Sequence, residues 1–308
     1  MMDIGAYAYK AGNHVIRSCN KAFGLRPTSW PYITGDSFRS LADHRLERGR
    51  DLDGAAVAAG DVVFVEASEL GRFRESVLPQ VRENLVLVSH NGDANIDGSY
   101  SDLADDPRII RWYAQNLVSL HPKARALPIG LENRWIRNNG IVHDFERLRS
   151  RPPAKRLKVL YAFSVGTNEK ERKPALEAVR SMPFADGAQW TTSRRYRECL
   201  AEYCFTLSPP GNGFDCHRTW EALYLGVVPI VRRSAFFDSF PGLPVVCVDD
   251  WREILTWDEA FLSSTYRELA PKLESCTQIW MDHWMREIAA ACGGRLRSGS
   301  RWKKRGAG

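Results

Sequence analysis

The sequence predicts an α/β protein built from two parallel-sheet units joined by a polar connection. Three observations carry that expectation. Short apolar runs alternate with helix-period segments along the chain, the pattern of strand–helix–strand units rather than of hairpins. The runs DVVFVEAS (61–68), NLVLVSHNGD (84–93), LKVLYAFSV (157–165) and CFTLS (204–208) are apolar and end in polar residues, as buried strands do. The stretch RNNGIVHDFERLRSRPPAKR (137–156) is polar and carries Pro152-Pro153, which marks a boundary near the middle of the 308 residues.

In the first unit, RIIRWYAQNLVSL (108–120) has mixed periodicity and reads as a helix running into a short strand. ALPIGLENRW (126–135) reads as a strand leaving the unit. In the second, GTNEKERK (166–173) reads as a loop and PALEAVRSM (174–182) as a helix with Pro174 in its first turn, where a missing N–H costs nothing. RRYRECLAEY (194–203) reads as a helix and PVVCVDDW (244–251) as a further short strand. From about Asp258 to Cys292 the chain is helical, with a break expected at Pro271. No internal repeat is visible. The expected divisions are a first unit at 1–136, a linker at 137–156, a second unit at 157–257, helices packing across both at 258–292, and a basic tail at 293–308.

Composition excludes several classes. Apolar and charged fractions are those of a globular protein. No run of about 18 apolar residues exists to span a membrane. The first residues lack the basic start and apolar block of a leader. Seven scattered cysteines (Cys19, Cys199, Cys204, Cys216, Cys247, Cys276 and Cys292) fit buried thiols of a reducing compartment, so a cytoplasmic protein is expected. The formal charge of +6 is carried by the tail: Arg295, Arg297, Arg301, Lys303, Lys304 and Arg305 have no acidic neighbour there. Such a tail, with Trp302 among the cations, suits weak contact with an anionic membrane face; a solvated tail is the plainer alternative. Nucleic acid is not an expected partner.

The segment CFTLSPPGNGFDCHRTWEALYLGVVPIV (204–231) is the most informative. It reads as strand, tight loop, helix and strand. Loops at the carboxyl ends of parallel strands are where α/β sheets bind ligands. In Pro209-Pro210-Gly211-Asn212-Gly213 the glycines are expected to take positive φ and bring backbone N–H groups close to an anion. A helix starting near Asp215 adds its N-terminal dipole, and Arg218 in its first turn suits a phosphate. Glu221 shares a face with Arg218 and can accept from both hydroxyls of a ribose. Gly226 is expected to end the helix. Taken singly, the glycines are turn residues and Arg218–Glu221 an ion pair worth under about 1 kcal/mol; together they favour a nucleotide site. A dinucleotide fingerprint lacks its third glycine here, and no Gly-Lys-Ser/Thr of a nucleotide-hydrolase loop is present.

This segment resembles the donor-site region of exostosin-type glycosyltransferases, F-x-L-x-P-x-G followed by R-x-x-E-A-L-x-x-G-x-V-P-V-V. Phe205, Leu207, Pro209, Gly211, Arg218, Glu221, Ala222, Leu223, Gly226, Val228, Pro229 and Val231 carry the likeness. LYAFSVGTNEKERKPALEAV upstream and Tyr196 are similar too, so the resemblance covers about residues 157–250. It implies a GT-B fold, two Rossmann-like domains facing across a cleft, and a nucleotide-sugar donor, a UDP-sugar first of all. It implies that Glu221 binds the ribose, that Arg218 and Arg172 neutralise the diphosphate, and that Ser164, Gly166 and Thr167 border it, beside Pro210, Gly211, Asn212, Gly213 and His217. No metal is implied. His217 beside Arg218 departs from the pattern, and the lack of a secretory anchor argues against Golgi substrates. The acceptor expected is a glycan or lipid-linked sugar.

An inverting transfer needs a proton acceptor from the first unit. His90 and Asp93 in SHNGD (89–93) are the candidates, with Asp36 and Glu66 behind them; the same five residues are also good turn chemistry. Glu132 and Asn133 either line the cleft or cap a hinge. Asp51-Leu52-Asp53, a D-x-D, follows a charged segment and reads as a helix-flanking turn rather than a metal chelate. Cys199, Cys204, Cys216 and His217 lack zinc-site spacing. Two alternatives to a transferase stay open: a binding module without turnover, and a nucleotide-sugar epimerase.

Overall fold

The computed structural model of the chain describes residues 26, 28–119, 121–134, 140–189, 192–294 and 296. The first unit runs α1 (Gly35–Ser40), β1 (His44–Leu46), β2 (Asp61–Glu66), a helical connection at 67–80, β3 (Leu85–His90), α2 (Ser101–Asp105), β4 (Ile109–Gln115) and β5 (Ala124–Leu127). Its strands make one parallel sheet in the order β1-β2-β3-β4-β5. The central strands are covered on both faces, which is why Val62 to Val65 and Leu85 to Val88 are continuous apolar runs with no exposure.

The second unit holds α3 (Val142–Ser150), β6 (Arg156–Tyr161), α4 (Glu169–Arg180), β7 (Ala185–Gly187), α5 (Ser193–Ala201), β8 (Tyr203–Leu207), α6 (His217–Tyr224), β9 (Val228–Arg232), α7 (Ala235–Asp238) and β10 (Val246–Val248). The sheet order is β10-β9-β8-β6-β7, all parallel. The chain leaves β6 to one side for β7 and returns to the other for β8. The loops after β6 and β8 therefore diverge, and a crevice opens at their carboxyl ends. Two such sheets facing across a cleft form a GT-B fold, as the sequence predicts.

The units are joined by aromatic packing. Tyr32 stacks edge-on against Tyr224 at 4.9 Å and lies 5.3 Å from Trp280 and 6.0 Å from Phe145. The Tyr224 hydroxyl accepts the Ile33 N–H at 3.0 Å and donates to the Ile279 carbonyl at 2.6 Å. α3 sits in the segment read as a linker and docks on α5, where the buried Arg197 Nε donates to Asp144 at 3.1 Å. Two helices close the described chain. α8 (Glu259–Ser275) lies on the second sheet, with the Tyr266 hydroxyl donating to the Gly226 carbonyl at 3.2 Å. α9 (Met281–Ala291) returns to the first unit, where Tyr113 donates to the Glu287 carbonyl at 3.0 Å.

Three expectations about local structure are corrected, and a fourth, the turn at the D-x-D, is met. Residues 109–115 form a strand, not a helix: Trp112, Tyr113 and Ala114 are buried between β3 and β5, and β-prone side chains outweigh the mixed pattern. Pro174 lies inside α4, which starts five residues earlier under an Asn168 cap. The carbonyl its ring leaves unpaired belongs to the exposed Lys170, so the lost bond is not a buried one. Pro271 does not break α8 for the same reason, Arg267 being exposed; the chain turns at Cys276 instead. The D-x-D is a turn: Asp53 caps a short helical turn and Asp51 pairs with Arg72.

Six of the cysteines lie among the described residues and all are free thiols. Cys19 and nearly all of the basic tail lie outside the described residues. No described helix is long and apolar enough to cross a membrane.

Candidate nucleotide-sugar site

The carboxyl-end loops of the two sheets meet in a two-lobed cleft. One lobe, about 320 Å³, belongs to the second unit and is lined by Thr167, Arg172, Ser193, Tyr196, Gly211, Asn212, Gly213, Asp215, Cys216, Arg218 and Glu221. The other, about 740 Å³, belongs to the first unit; Arg39, Glu47, Glu66, His90, Asn91 and Glu132 are among its lining residues. Asp93, Ile129 and His217 line both lobes and mark where they join.

α6 presents His217, Arg218 and Glu221 to the smaller lobe. Cys216 precedes the helix without a side-chain cap, and the Thr219 N–H turns back to the Cys216 carbonyl at 3.0 Å. Arg218 lies over the Phe163 ring at 5.5 Å, and its buried Nη1 has no hydrogen-bond partner among the described residues. Arg172 lies over the same ring at 5.9 Å. It donates from Nε to the Pro210 carbonyl at 2.9 Å and from Nη1 to the Ser164 carbonyl at 2.8 Å, clamping the β6 and β8 loops together. Burial and then the neighbouring Arg218 push its pKa below the usual arginine value. Two guanidinium groups beside one cavity, neither ion-paired among the described residues, favour an anion between them. Glu221 is 6 % exposed, and burial raises its carboxyl pKa; the Arg197, His217 and Arg218 charges pull the other way. A neutral or hydroxyl-bonded carboxyl suits this place better than an open ion pair.

The glycines of the loop serve by being small. Neither Gly211 nor Gly213 has positive φ, contrary to expectation; among the loop-end glycines that does occur at Gly226, at +68°. A Cβ on Gly213 would stand 2.6 Å from Asn116 Nδ2, and one on Gly211 would stand 2.9 Å from Arg172 Nη2. Gly213 thus lets the β8 loop close on the first unit. Ser164 and Pro210 reach the site through the carbonyls that hold Arg172, and Thr167 lines it directly. Gly166 lies beside open space and does not line either lobe.

His90 ends β3 and is 1 % exposed. Its Nδ1 accepts the Asn91 N–H at 2.8 Å, so Nε2 carries the proton and donates to the Pro128 carbonyl at 3.1 Å. Burial lowers its pKa to about 4. The ring is neutral and both nitrogens are occupied. Asp93 is exposed at the junction, and its Oδ2 accepts from Asn212 Nδ2 at 3.0 Å across the mouth of the cleft. Asp36 is buried in an ion pair with Arg26 at 2.7 Å and lines neither lobe itself, although Arg26 lines the larger one. Glu66 accepts the Arg48 N–H at 3.1 Å. Glu132 Oε2 is buried without a hydrogen-bond partner in the larger lobe. Asn133 is a brace: it accepts from Asp36 N–H at 2.8 Å and donates to Asn91 Oδ1 at 2.9 Å.

Three residues were missed by sequence reasoning. Gln115 accepts the Asn91 N–H at 2.9 Å and donates to the Gly92 carbonyl at 2.8 Å, fixing the turn that carries Asp93. Asn116, at φ +54°, donates to the Gly92 carbonyl at 3.3 Å and accepts the Asp215 N–H at 3.2 Å. Asp215 itself was read only as a helix start, yet it accepts from the Ile129 N–H at 2.6 Å and from the Trp220 indole at 2.7 Å. An asparagine directly after a strand was the available signal for Asn116.

No protein-family profile and no curated protein sequence matches the chain. Among solved structures the chain is similar to the spinosyn rhamnosyltransferase SpnG, at 15% identity and TM-score 0.38 over 70% of this chain and 69% of that one. It is also similar to the pneumococcal O-GlcNAc transferase GtfA in complex with UDP and GlcNAc, at 12% identity and TM-score 0.32 over 80% of this chain and 56% of that one.

Proposed function

We propose that the protein is a metal-independent glycosyltransferase that moves a sugar from a nucleotide-sugar, with UDP as the nucleotide, to a glycan or lipid-linked acceptor. The observation that carries this reading is the pairing, on one face of α6, of a half-buried Arg218, whose enclosed Nη1 has no partner among the described residues, with a buried Glu221, at the open end of a parallel sheet. The diphosphate lies against Arg218, Arg172 and the first N–H groups of α6. The ribose hydroxyls donate to Glu221. The sugar then reaches the junction lined by Asp93, Ile129 and His217, and the acceptor occupies the larger lobe.

Transfer breaks the bond between the anomeric carbon and the phosphate oxygen, and the electron pair leaves with the diphosphate. Preplaced cations and helix N–H groups stabilise that developing charge. The acceptor hydroxyl must lose its proton at the junction. Of His90 and Asp93, Asp93 is the one with an accessible oxygen there; the His90 lone pair is taken by the Asn91 N–H.

Thermal shift with UDP, GDP, CMP, ADP and their sugar conjugates tests the donor site. A UDP-selective rise in Tm that is lost in Glu221→Ala is expected, because a ligand of the folded state stabilises it by mass action. No shift from any nucleotide with well-folded protein would overturn the reading.

A further inference from the structure

We propose that His217 Nε2 takes the proton from the attacking acceptor hydroxyl, with the Gly130 carbonyl holding the ring in the tautomer that leaves this nitrogen free. The proposal rests on the glycosyl-transfer reading and goes beyond it by assigning the base to the donor-side helix rather than to His90 or Asp93.

His217 is the first residue of α6, one turn before Glu221 on the same face. Its Nδ1 lies 2.7 Å from the Gly130 carbonyl oxygen. A carbonyl only accepts, so Nδ1 carries the hydrogen, and in the neutral ring the lone pair stands on Nε2. The carbonyl is itself held in place. Gly130 has φ +66°, a Cβ there would stand 2.2 Å from the Ile33 carbonyl oxygen, and the next N–H, of Leu131, donates to that oxygen at 2.8 Å. Among the described residues Nε2 makes no hydrogen bond, and the ring lines both lobes of the cleft.

The junction narrows the choice. Ile129 is apolar, His90 is spent, and of the two oxygens of the exposed Asp93, Oδ2 is bonded to Asn212 while the other is accessible but held in no direction by any hydrogen bond among the described residues. His217 is the remaining acceptor with a fixed direction. The charged and titratable groups around it are Arg218 and Glu221 on its own helix, Asp215 and Arg172 from the donor loop and α4, His90 and Asp93 after β3, and Glu132 after β5. In the step, the acceptor oxygen bonds to the anomeric carbon, the carbon–phosphate-oxygen bond breaks towards the diphosphate, and the hydroxyl proton moves to Nε2. The imidazolium keeps its Nδ1–H on Gly130 and later gives the other proton to water.

The test uses the full chain with UDP-sugars, following UDP release with a panel of acceptor sugars, in wild type, His217→Asn, His217→Gln and Asp93→Asn. Asparagine keeps a short N–H donor towards Gly130 without a base. We expect His217→Asn to lower kcat about 10²–10⁴-fold while donor KM and the UDP thermal shift stay within about threefold. The acid limb of the pH–rate profile should vanish with it and persist in Asp93→Asn. Wild-type turnover with kcat unchanged in His217→Asn overturns this assignment alone. So does a loss of UDP binding with kcat intact, which makes the ring a phosphate ligand. A wild type that releases no UDP from any donor overturns the transfer reading beneath it. Should the variants fail to fold, diethyl pyrocarbonate labelling of wild type decides. His217 must be carbethoxylated and protected by UDP-sugar while His90 stays unmodified; an unreactive His217 sinks the idea.

Discussion

Asp215 Oδ2 accepts the Ile129 N–H at 2.6 Å, tying the loop after β8 of one sheet to the strand exit of the other. Burial pushes its carboxyl pKa up to about 7 in spite of the Ile129 and Trp220 donors. A carboxyl raised in the fold stabilises most when protonated. Its contribution is complete below the ordinary aspartate range and is lost as pH rises through about 7. The Tm of Asp215→Asn minus that of wild type should therefore grow between about pH 4 and 8, corresponding to up to a few kcal/mol at roughly 1.4 kcal/mol per pKa unit. Parallel Tm curves for the two proteins would contradict the raised value.

Glu221 makes a related prediction with a binding readout. Its carboxyl is buried and raised, so Glu221→Gln removes a desolvation cost above the ordinary glutamate range. The apo variant should be at least as stable as wild type near neutral pH, its advantage growing as pH rises. Nucleotide affinity should fall about 10-fold or more, since an amide accepts from one ribose hydroxyl less well than a carboxylate from two. Calorimetric titration with UDP measures it; an unchanged Kd would move the ribose elsewhere.

The two arginines should separate. Arg218 makes no hydrogen bond from its buried Nη1 among the described residues, whereas Arg172 holds the Ser164 and Pro210 carbonyls. Arg218→Met should leave the apo Tm level or raise it while weakening UDP by about 2 kcal/mol or more, the scale of a charge-assisted bond. Arg172→Met should lower the stability of the apo protein as well, by about 1–3 kcal/mol, because two carbonyls lose their donor. Equal stability losses in both would mean Arg218 is a clamp too.

Several buried strands and the loop after β8 were legible because their signals are local. Val62 to Val65 announce a strand by themselves, and Pro209 to Gly213 announce a loop that a helix must follow. The acceptor side was not. Gln115 and Asn116 act only because β4 is a strand, and the pattern Arg111-Trp112-Tyr113 obscured that. His217 was read as a donor contact from its place beside Arg218. Its free Nε2 depends on a carbonyl far along the chain, and no spacing rule contains it. The glycines of the loop meet a different need from the one expected: close approach, not positive φ.

That close approach yields the last prediction. A Cβ at residue 213 would lie 2.6 Å from Asn116 Nδ2 and 2.8 Å from Oδ1, and Asn116 is fixed by Gly92 and by the Asp215 N–H. Gly213→Ala must therefore push the donor loop off the first unit or expel Asn116 from its bonds. At Gly211 the nearest atom, 2.9 Å away, is the far end of the Arg172 side chain. Gly211→Ala should still disturb that clamp, but by less. We expect Gly213→Ala to cost about 1–3 kcal/mol of stability, the range for overpacking, and to weaken UDP more than Gly211→Ala does. The double variant Gly213→Ala/Asn116→Ala, which clears the obstruction, should recover part of the loss at 213. Because Asn116 also holds the Asp215 N–H, the recovery should be incomplete, and a double variant equal to the sum of the singles would show that the obstruction is not with Asn116.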